Sequence, residues 1–547
     1  MLDVVLQGNS GRSMTRRWLS AYDPGVPQSI EYPVVPVYKP VLDMAARNPK
    51  GVALYSGNAT VKFGELASHI EALASAIAEL GVSRGDLVGI YMPNCPEFAI
   101  AYYGVMRAGA AVVMLSPALV ERELAQAIGD AGFKVLICDD AAWRKVSSMR
   151  EGADLHAVIA TGCGFVPSSE REILPQGPQV HDFVGLLEHC GPTLPEPDID
   201  PREDPCVLIY TGGTTGMPKA VVLTHYAVVA NAAQLAAWVE FGEGDSILAA
   251  LPLFHSYGMS AGINAPLFKG AATVLLEGHG WKELVGAIEK ARPKVLIGVP
   301  STLAVLTELP GIETADMSSL EYVFVGSAPL PADVRHRFEN LTDAVLMEGY
   351  GLTEAVTAQS ANPAHGVNKP GSIGIPFPDV EFRIVDLETG TSELAPEKAG
   401  ELTIKSPCLM KGYHNRPRET EKTLRDGWLF TGDIAWMDDN GYFYVIDRRK
   451  DMIVSGAFKA YPAEVEAVLR MHPLIREVAV VGLFDDFRGH SLKAFVVPEK
   501  GAGLTEDEVK RFAVENLSEH KVPRAVEFRE ELPKNEMGKI LRRELEQ

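Results

Sequence analysis

Short apolar runs recur along most of the chain: Leu-Val-Gly-Ile-Tyr-Met from Leu87, Lys-Val-Leu-Ile-Cys from Lys134, Cys-Val-Leu-Ile-Tyr from Cys206, Ser-Ile-Leu-Ala from Ser246, Ala-Thr-Val-Leu-Leu from Ala272 and Lys-Val-Leu-Ile from Lys294. Helix-like stretches lie between several of them. That alternation predicts an α/β fold with largely parallel sheets. One such stretch carries Leu66, Ile70, Leu73, Ile77 and Leu80 at three- and four-residue steps and stops at Gly81, the pattern of an amphipathic helix with a glycine C-cap. A chain of 547 residues is too long for one hydrophobic core, so at least two domains are expected. The last hundred or so residues change character. Aromatic alternation in Gly441–Val454 is followed by a helix-like Pro-Ala-Glu-Val-Glu from Pro462, a strand-like Glu-Val-Ala-Val-Val from Glu477 and a capped helix after Leu504. This predicts a large unit over 1–449 that includes a subdomain, and a small α+β unit over 450–547.

Composition bears on partners and compartment. The net charge of −21 repels phosphate backbones and anionic lipid surfaces, so nucleic acid is not expected. The six cysteines, Cys95, Cys138, Cys163, Cys190, Cys206 and Cys408, show no C-x-x-C spacing, which fits buried free thiols in a reducing compartment. No segment has the order of a secretory signal. The apolar region from Phe98 to Val120 is broken by Arg107 and Pro117, short of the ~20 residues that span a bilayer. A cytoplasmic location without an integral membrane segment is the expectation.

The clearest chemical signal is Tyr210-Thr-Gly-Gly-Thr-Thr-Gly-Met-Pro-Lys219, straight after a strand-like run. Its glycines let backbone N–H groups converge on an anion, its threonines add hydroxyl donors and Lys219 adds positive charge, a combination suited to polyphosphate. It is not a Walker A loop, because Met217-Pro218 stands where a glycine would adjoin the lysine. Composition alone does not separate such a loop from a plain turn.

Its wording does more. Thr211 to Lys219 resembles the phosphate loop of the adenylate-forming superfamily, which includes acyl-CoA synthetases, firefly-type luciferases and the adenylation domains of peptide synthetases. Further likenesses follow in the family's order. Leu251-Pro-Leu-Phe-His255 is similar to the segment whose histidine lies between acyl and thiol channels. Val325-Gly-Ser-Ala-Pro-Leu330 resembles the adenine-lining loop, and Glu348-Gly-Tyr-Gly-Leu-Thr-Glu354 the loop with a stacking aromatic. Trp428-Leu-Phe-Thr-Gly-Asp433 and Ile446-Asp-Arg-Arg-Lys-Asp451 resemble the ribose-binding and hinge motifs, and Leu532-Pro-Lys-Asn-Glu-Met-Gly-Lys-Ile540 the motif of the adenylating lysine.

The resemblance therefore implies nucleotide binding by Thr211, Gly212, Gly213, Thr214, Thr215, Gly216, Lys219, Ser327, Ala328, Pro329, Gly349, Tyr350, Gly351, Leu352, Asp433 and Arg448. It implies catalytic roles for Lys539, Glu354, Thr353 and His255, with Mg²⁺ on Glu354. The acyl pocket falls at His255, Tyr257, Gly326 and Gly351, the hinge at Lys450 and the CoA face at Ser455, Gly456 and Lys459. The implied reaction is AMP-forming ligation of a carboxylic acid to CoA at the expense of ATP. Small-acid relatives carry tryptophan where this chain has Gly351, which with the leader Trp18-Leu-Ser-Ala-Tyr points to a medium- or long-chain fatty acid. An aryl or other acid, or a carrier protein as acceptor, is the alternative, and a homodimer is compatible with the reading. The chain departs from the family pattern at Gly212, Ala220, Ala457 and His520, where hydroxyl, glycine, glycine and tyrosine are usual; the departure at 212 removes one phosphate donor.

Overall fold

The computed structural model describes residues 16–149, 155–164, 179–188, 194–211, 218–276, 281–448, 451, 453–455, 458–485, 489–518 and 521–546. The apolar runs form the middles of two large sheets. An eight-stranded sheet contains Ala111–Met114, Leu87–Tyr91 and Val135–Asp139 paired in parallel, and a nine-stranded sheet contains Ser246–Ala249, Val295–Gly298, Tyr322–Val325 and Val345–Gly351, also parallel. The reason these strands read as unbroken apolar runs is visible in the core. Val88 and Ile90 enter one apolar cluster and Tyr91 another, while Ile247 and Ala249 share the first cluster and Leu248 enters a third. Both faces of each sheet are covered, so alternate residues have no wet side to be polar on.

The layer shared by the two sheets holds the helices Phe63–Glu79, Pro96–Arg107 and His225–Trp238. Phe63–Glu79 is the helix expected around Leu66, and Gly81 takes the left-handed φ of 89° just past its end. Pro96–Arg107 is buried along its whole length, and the arginine that interrupts the apolar run ends it. Arg107 is paired to Glu71 at 2.7 Å and donates to the carbonyls of Leu194 and Pro195, so its buried charge is neutralised and hydrogen-bonded. Outer helices Glu121–Ala131 and Asp140–Met149 cover one sheet; Trp281–Ala291, Pro300–Glu308 and Ala332–Glu339 cover the other.

Past the nine-stranded sheet comes an antiparallel sheet of Glu381–Val385, Gly400–Lys405, Trp428–Met437, Leu424–Arg425 and Phe443–Arg448. The aromatic alternation at 441–448 belongs to this sheet, where Phe443–Arg448 pairs with Trp428–Met437, rather than to the C-terminal unit. The C-terminal unit is built on the antiparallel pair Ile475–Asp485 and Gly489–Pro498 with Ala525–Phe528 added in parallel, and has its own apolar clusters. Its helix Glu506–Asn516 begins with a reciprocal cap between Thr505 and Glu508, as its sequence implies.

The leader folds back as a short 3-10 turn, Arg17–Ala21. Trp18 is buried edge-on against Phe443, and Asp23 accepts the backbone N–H groups of Ala364 and His365. Cys95, Cys138, Cys206 and Cys408 are buried thiols in no disulfide, Cys163 is half-buried, and Cys190 lies outside the described residues. No described helix is long and apolar enough to cross a membrane.

Candidate active site

Both large sheets aim the carboxyl ends of their parallel strands at one cleft of about 1140 Å³, the place where open α/β sheets bind ligands. Thr211 ends the strand Pro205–Thr211, Ser327 follows Tyr322–Val325, and Gly349, Tyr350 and Gly351 end Val345–Gly351. His255 sits in the connection after Ser246–Ala249. The cleft brings together Thr211, Lys219, His255, Tyr257, Gly326, Ser327, Gly349, Tyr350, Gly351, Leu352, Thr353, Glu354, Arg448 and, from the C-terminal unit, Lys539. Ala328 and Pro329 lie beyond its wall. Gly212, Gly213, Thr214, Thr215, Gly216, Lys450 and Gly456 lie outside the described residues, as do Ala457 and His520. The backbones of Ser455 and Lys459 pair with Phe458 and Val454 in a two-stranded ladder, Ile453–Ser455 with Phe458–Ala460.

Asp433 and Arg448 meet because their strands are in register, Cα opposite Cα. Their side chains form an ion pair at 3.1 Å, and the Tyr350 hydroxyl donates to the second oxygen of Asp433 at 2.5 Å. Burial, and then the Asp433 carboxylate, push the Tyr350 phenol well above its ordinary value, while Asp433 raises that of Arg448. Tyr350 is thus a neutral ring on the cleft lining, tied by its hydroxyl to Asp433, with a carboxylate and a guanidinium beside it. That set suits an aromatic base and a vicinal diol.

The turn at 352–357 aims two more groups. Thr353–Ala355 is one 3-10 turn, followed by Val356 at φ 65° and ψ −66°. These are the angles of a γ-turn, closed by the Thr357 N–H on the Ala355 carbonyl at 2.8 Å. A buried β-branched residue in that conformation is strained by about 1–3 kcal/mol. Ahead of it in the same turn Thr353 lies 3.3 Å from the Ser256 hydroxyl, and Glu354 accepts a hydrogen bond from the Tyr413 hydroxyl at 2.7 Å. Lys219 lies 4.9 Å above the Tyr413 ring. Ser327, also on the wall, has a φ of 71°.

On the other wall His255 is held by a bond from the Tyr257 N–H to its Nδ1 at 3.2 Å, and burial pushes its value down to about 4. It is a neutral imidazole with its proton on Nε2. The Tyr257 hydroxyl donates to the Phe324 carbonyl at 3.2 Å, fixing the ring beside Gly326. Behind them Ile209, Leu235, Phe324, Ala358 and Ala361 make an apolar recess.

Gly351 has a second reason for being glycine. A Cβ there would stand 1.7 Å from the Thr357 carbonyl oxygen and 2.7 Å from the Ala358 Cα. Main chain takes that space, so glycine is required for the strands Val345–Gly351 and Ala358–Ala361 to meet, whatever occupies the cleft. Tyr413 and Arg416, which both line the cleft, escaped the sequence reading. Arg416 is paired with Asp130 at 2.7 Å. They lie in Gly-Tyr-His-Asn-Arg, where only their chemistry, and no spacing, marks them. Lys219, Arg416, Arg448, Lys534 and Lys539 line the cleft together with the carboxylates of Glu123, Glu354, Glu419 and Glu536, and Arg416, Arg448 and Lys534 are paired with Asp130, Asp433 and Glu477.

Residues 42–414 match the model of the AMP-binding enzyme family, and residues 464–539 match that of the AMP-binding enzyme C-terminal domain. The chain belongs to the AMP-binding enzyme family. It is 39% identical to a long-chain-fatty-acid–CoA ligase of Bacillus subtilis (strain 168) over 96% of this chain and 97% of that protein. It is 34% identical to a long-chain-fatty-acid–CoA ligase of Escherichia coli O6:H1 over 97% and 98%. Its fold superposes on the anthranilate CoA ligase AuaEII in complex with anthranoyl-AMP with a TM-score of 0.85 at 26% identity, over 94% of this chain and 97% of that one. The family places this chain among the adenylate-forming enzymes, as its motifs implied.

Proposed function

We propose that this protein is an ATP-dependent acyl-CoA ligase acting on medium- or long-chain fatty acids. The observation that carries the reading is the convergence of Thr211, Lys219, Tyr350, Glu354 and Lys539 on one cleft that continues into an apolar recess. A carboxylate does not acylate a thiol, because oxide would have to leave. In the first step an acid oxygen attacks the α-phosphorus of ATP, the bond to the β-phosphate oxygen breaks, and pyrophosphate departs from an acyl-AMP anhydride. In the second the sulfur of CoA forms a bond to the acyl carbon, the thiol loses its proton, and the carbon–oxygen bond to AMP breaks.

Tyr350 stacks on adenine, and Asp433 and Arg448 take the ribose hydroxyls. Lys219 and Lys539 stabilise charge at the phosphates, Thr353 bonds the α-phosphate, and His255, neutral at pH 7, borders the acyl and thiol paths. The described residues hold no cluster of three metal-binding side chains. A single carboxylate, Glu354, oriented by Tyr413, fits Mg²⁺, which is commonly held by one or two carboxylates together with substrate phosphates; bound there, Mg²⁺ would neutralise phosphate charge. After pyrophosphate leaves, the unit over 450–547 turns about Lys450 and brings Ser455, Gly456 and Lys459 toward the thiol path.

The names of the Bacillus and Escherichia relatives support a fatty acid, and the anthranilate ligase keeps an aryl acid as the second reading. Pyrophosphate release with Mg²⁺-ATP, over acids from C2 to C18 plus benzoate and coumarate and with and without CoA, tests both. The expected result is turnover that requires CoA and peaks above C6. Because a buried methylene contributes about 0.8 kcal/mol, neighbouring chain lengths should differ by less than tenfold per carbon. An aryl peak would replace the substrate, CoA-independent turnover would replace the acceptor, and no release with any acid would overturn the ligase reading.

A further inference from the structure

The loop that presents Lys539 is seated against both large sheets at once, by residues to which neither the family match nor the motif reading gives a role. Asn535 braces the loop internally: its side-chain oxygen accepts the N–H groups of Met537 and Lys539, and its own N–H donates to the Lys539 carbonyl. From this small rigid frame three residues reach the large unit. The Met537 side chain is buried in the apolar cluster that fills the layer between the two sheets. Gly538, at φ 71°, lies so close to the helix Pro300–Glu308 that a Cβ would stand 2.6 Å from the Ser301 hydroxyl oxygen. Glu536 accepts a hydrogen bond from the Ser116 hydroxyl.

The Ser116 ledge is itself fixed. Lys145 donates to the carbonyls of Pro117 and Leu119 and to the Tyr91 hydroxyl, and Tyr91 donates to Leu119 at 2.7 Å. The Ser116 oxygen already accepts the Ala118 N–H at 3.1 Å, which leaves its proton directed at Glu536. Ser116 follows a strand of the eight-stranded sheet and Ser301 follows one of the nine-stranded sheet. The loop is therefore a wedge between the two.

We propose that Glu536 and Met537 are positioning residues that dock the Lys539 loop on Ser116 for the adenylation step alone. Glu536 is exposed, and a hydrogen bond of that kind shifts an equilibrium by only a few-fold. Such a contact holds the lysine in place for the first step without preventing the loop from leaving for the second. This inference rests on the ligase reading, and its test separates the two.

Acid-dependent exchange of labelled pyrophosphate into ATP reports the first step; CoA-dependent consumption of a supplied acyl-adenylate reports the second. Wild-type protein must show both, and failure there would count against the ligase reading. Glu536→Ala and Ser116→Ala are expected to lower kcat for exchange about three- to tenfold with KM for ATP unchanged, and to leave acyl transfer at or above wild type. The double variant should lose no more than either single one, because both remove the same bond. Glu536→Gln, which keeps an acceptor oxygen, should regain most of the exchange rate, and Met537→Ala should lower exchange more than either. Equal losses in both steps, additive losses in the double variant, or wild-type exchange in Glu536→Ala would overturn the latch while leaving the ligase intact.

Discussion

Tyr413 shows how one side chain outside the conspicuous motifs sets the geometry of two inside them. Its hydroxyl bonds Glu354 and its ring lies under Lys219, and burial followed by the Glu354 charge keeps its phenol protonated by raising its value. Tyr413→Phe keeps the ring and removes only the bond to the carboxylate. The expected outcome is a fall in pyrophosphate release of about tenfold, the low end for one hydrogen bond to a charged group, with a rise in the Mg²⁺ concentration needed for half-maximal rate. An unchanged Mg²⁺ titration would mean that Glu354 needs no orienting partner. Lys539 belongs to a different class of effect. A preorganised charge at the reacting phosphate is worth about 10²–10³ in rate, so Lys539→Ala should abolish exchange at a level that Tyr413→Phe does not approach, while acyl transfer from supplied adenylate continues.

At the scale of the element, the strand pair Val345–Gly351 and Ala358–Ala361 carries the site through the turn between them. The turn is tight enough to force Val356 into a γ-turn and to bring the Thr357 carbonyl to where a side chain at 351 would begin. Gly351→Ala must push the two strands apart, since backbone cannot move aside as a side-chain end can. Its loss should appear in the folded state before any substrate is added, as a thermal midpoint lowered by several degrees and as weaker ATP binding together. If instead the variant keeps the wild-type midpoint and loses only long acids, then the pocket-opening explanation of this glycine is the right one and the backbone explanation fails. The same logic explains why the antiparallel sheet was hard to anticipate. Asp433 and Arg448 are neighbours through strand register, and register is set by side-chain packing on both faces rather than by any local word in the sequence.

For the whole molecule, burial of neutral histidines links stability to pH. His225 accepts the Val37 N–H on Nδ1 at 3.1 Å, and burial pushes its value down to about 4 from the ordinary 6.5; His255 is lowered to about 4 by the same cause. The unfolded chain therefore binds protons that the folded one refuses between these values, so stability falls as pH falls through this window. At pH 5 the loss is about 2 kcal/mol for each histidine. The thermal midpoint should drop between pH 7 and pH 5, and His225→Asn, which keeps an acceptor for Val37, should show a smaller drop than wild type. An equal drop in the variant would place the acid sensitivity elsewhere.

Much of this protein was legible from local chemistry. The apolar runs predicted buried parallel strands because a strand covered on both faces has no position left for polar residues. The helix before Gly81 and the capped helix after Thr505 were readable because periodicity and capping are properties of a few adjacent residues. The family itself was readable from short words such as Thr211 to Lys219 and Leu532 to Ile540. What the sequence did not contain in readable form are the relations between distant segments. Tyr413 and Arg416 enter the cleft only because the edge of the eight-stranded sheet lies there, Ser327 lines it while Ala328 and Pro329 do not, and Gly351 is explained by a carbonyl six residues on. The sequence by itself determined which elements form and which chemistry they carry, since those depend on neighbours along the chain. Only the tertiary structure decided which groups face one another across the cleft, because that follows from how the sheets, the antiparallel subdomain and the Lys539 loop pack together.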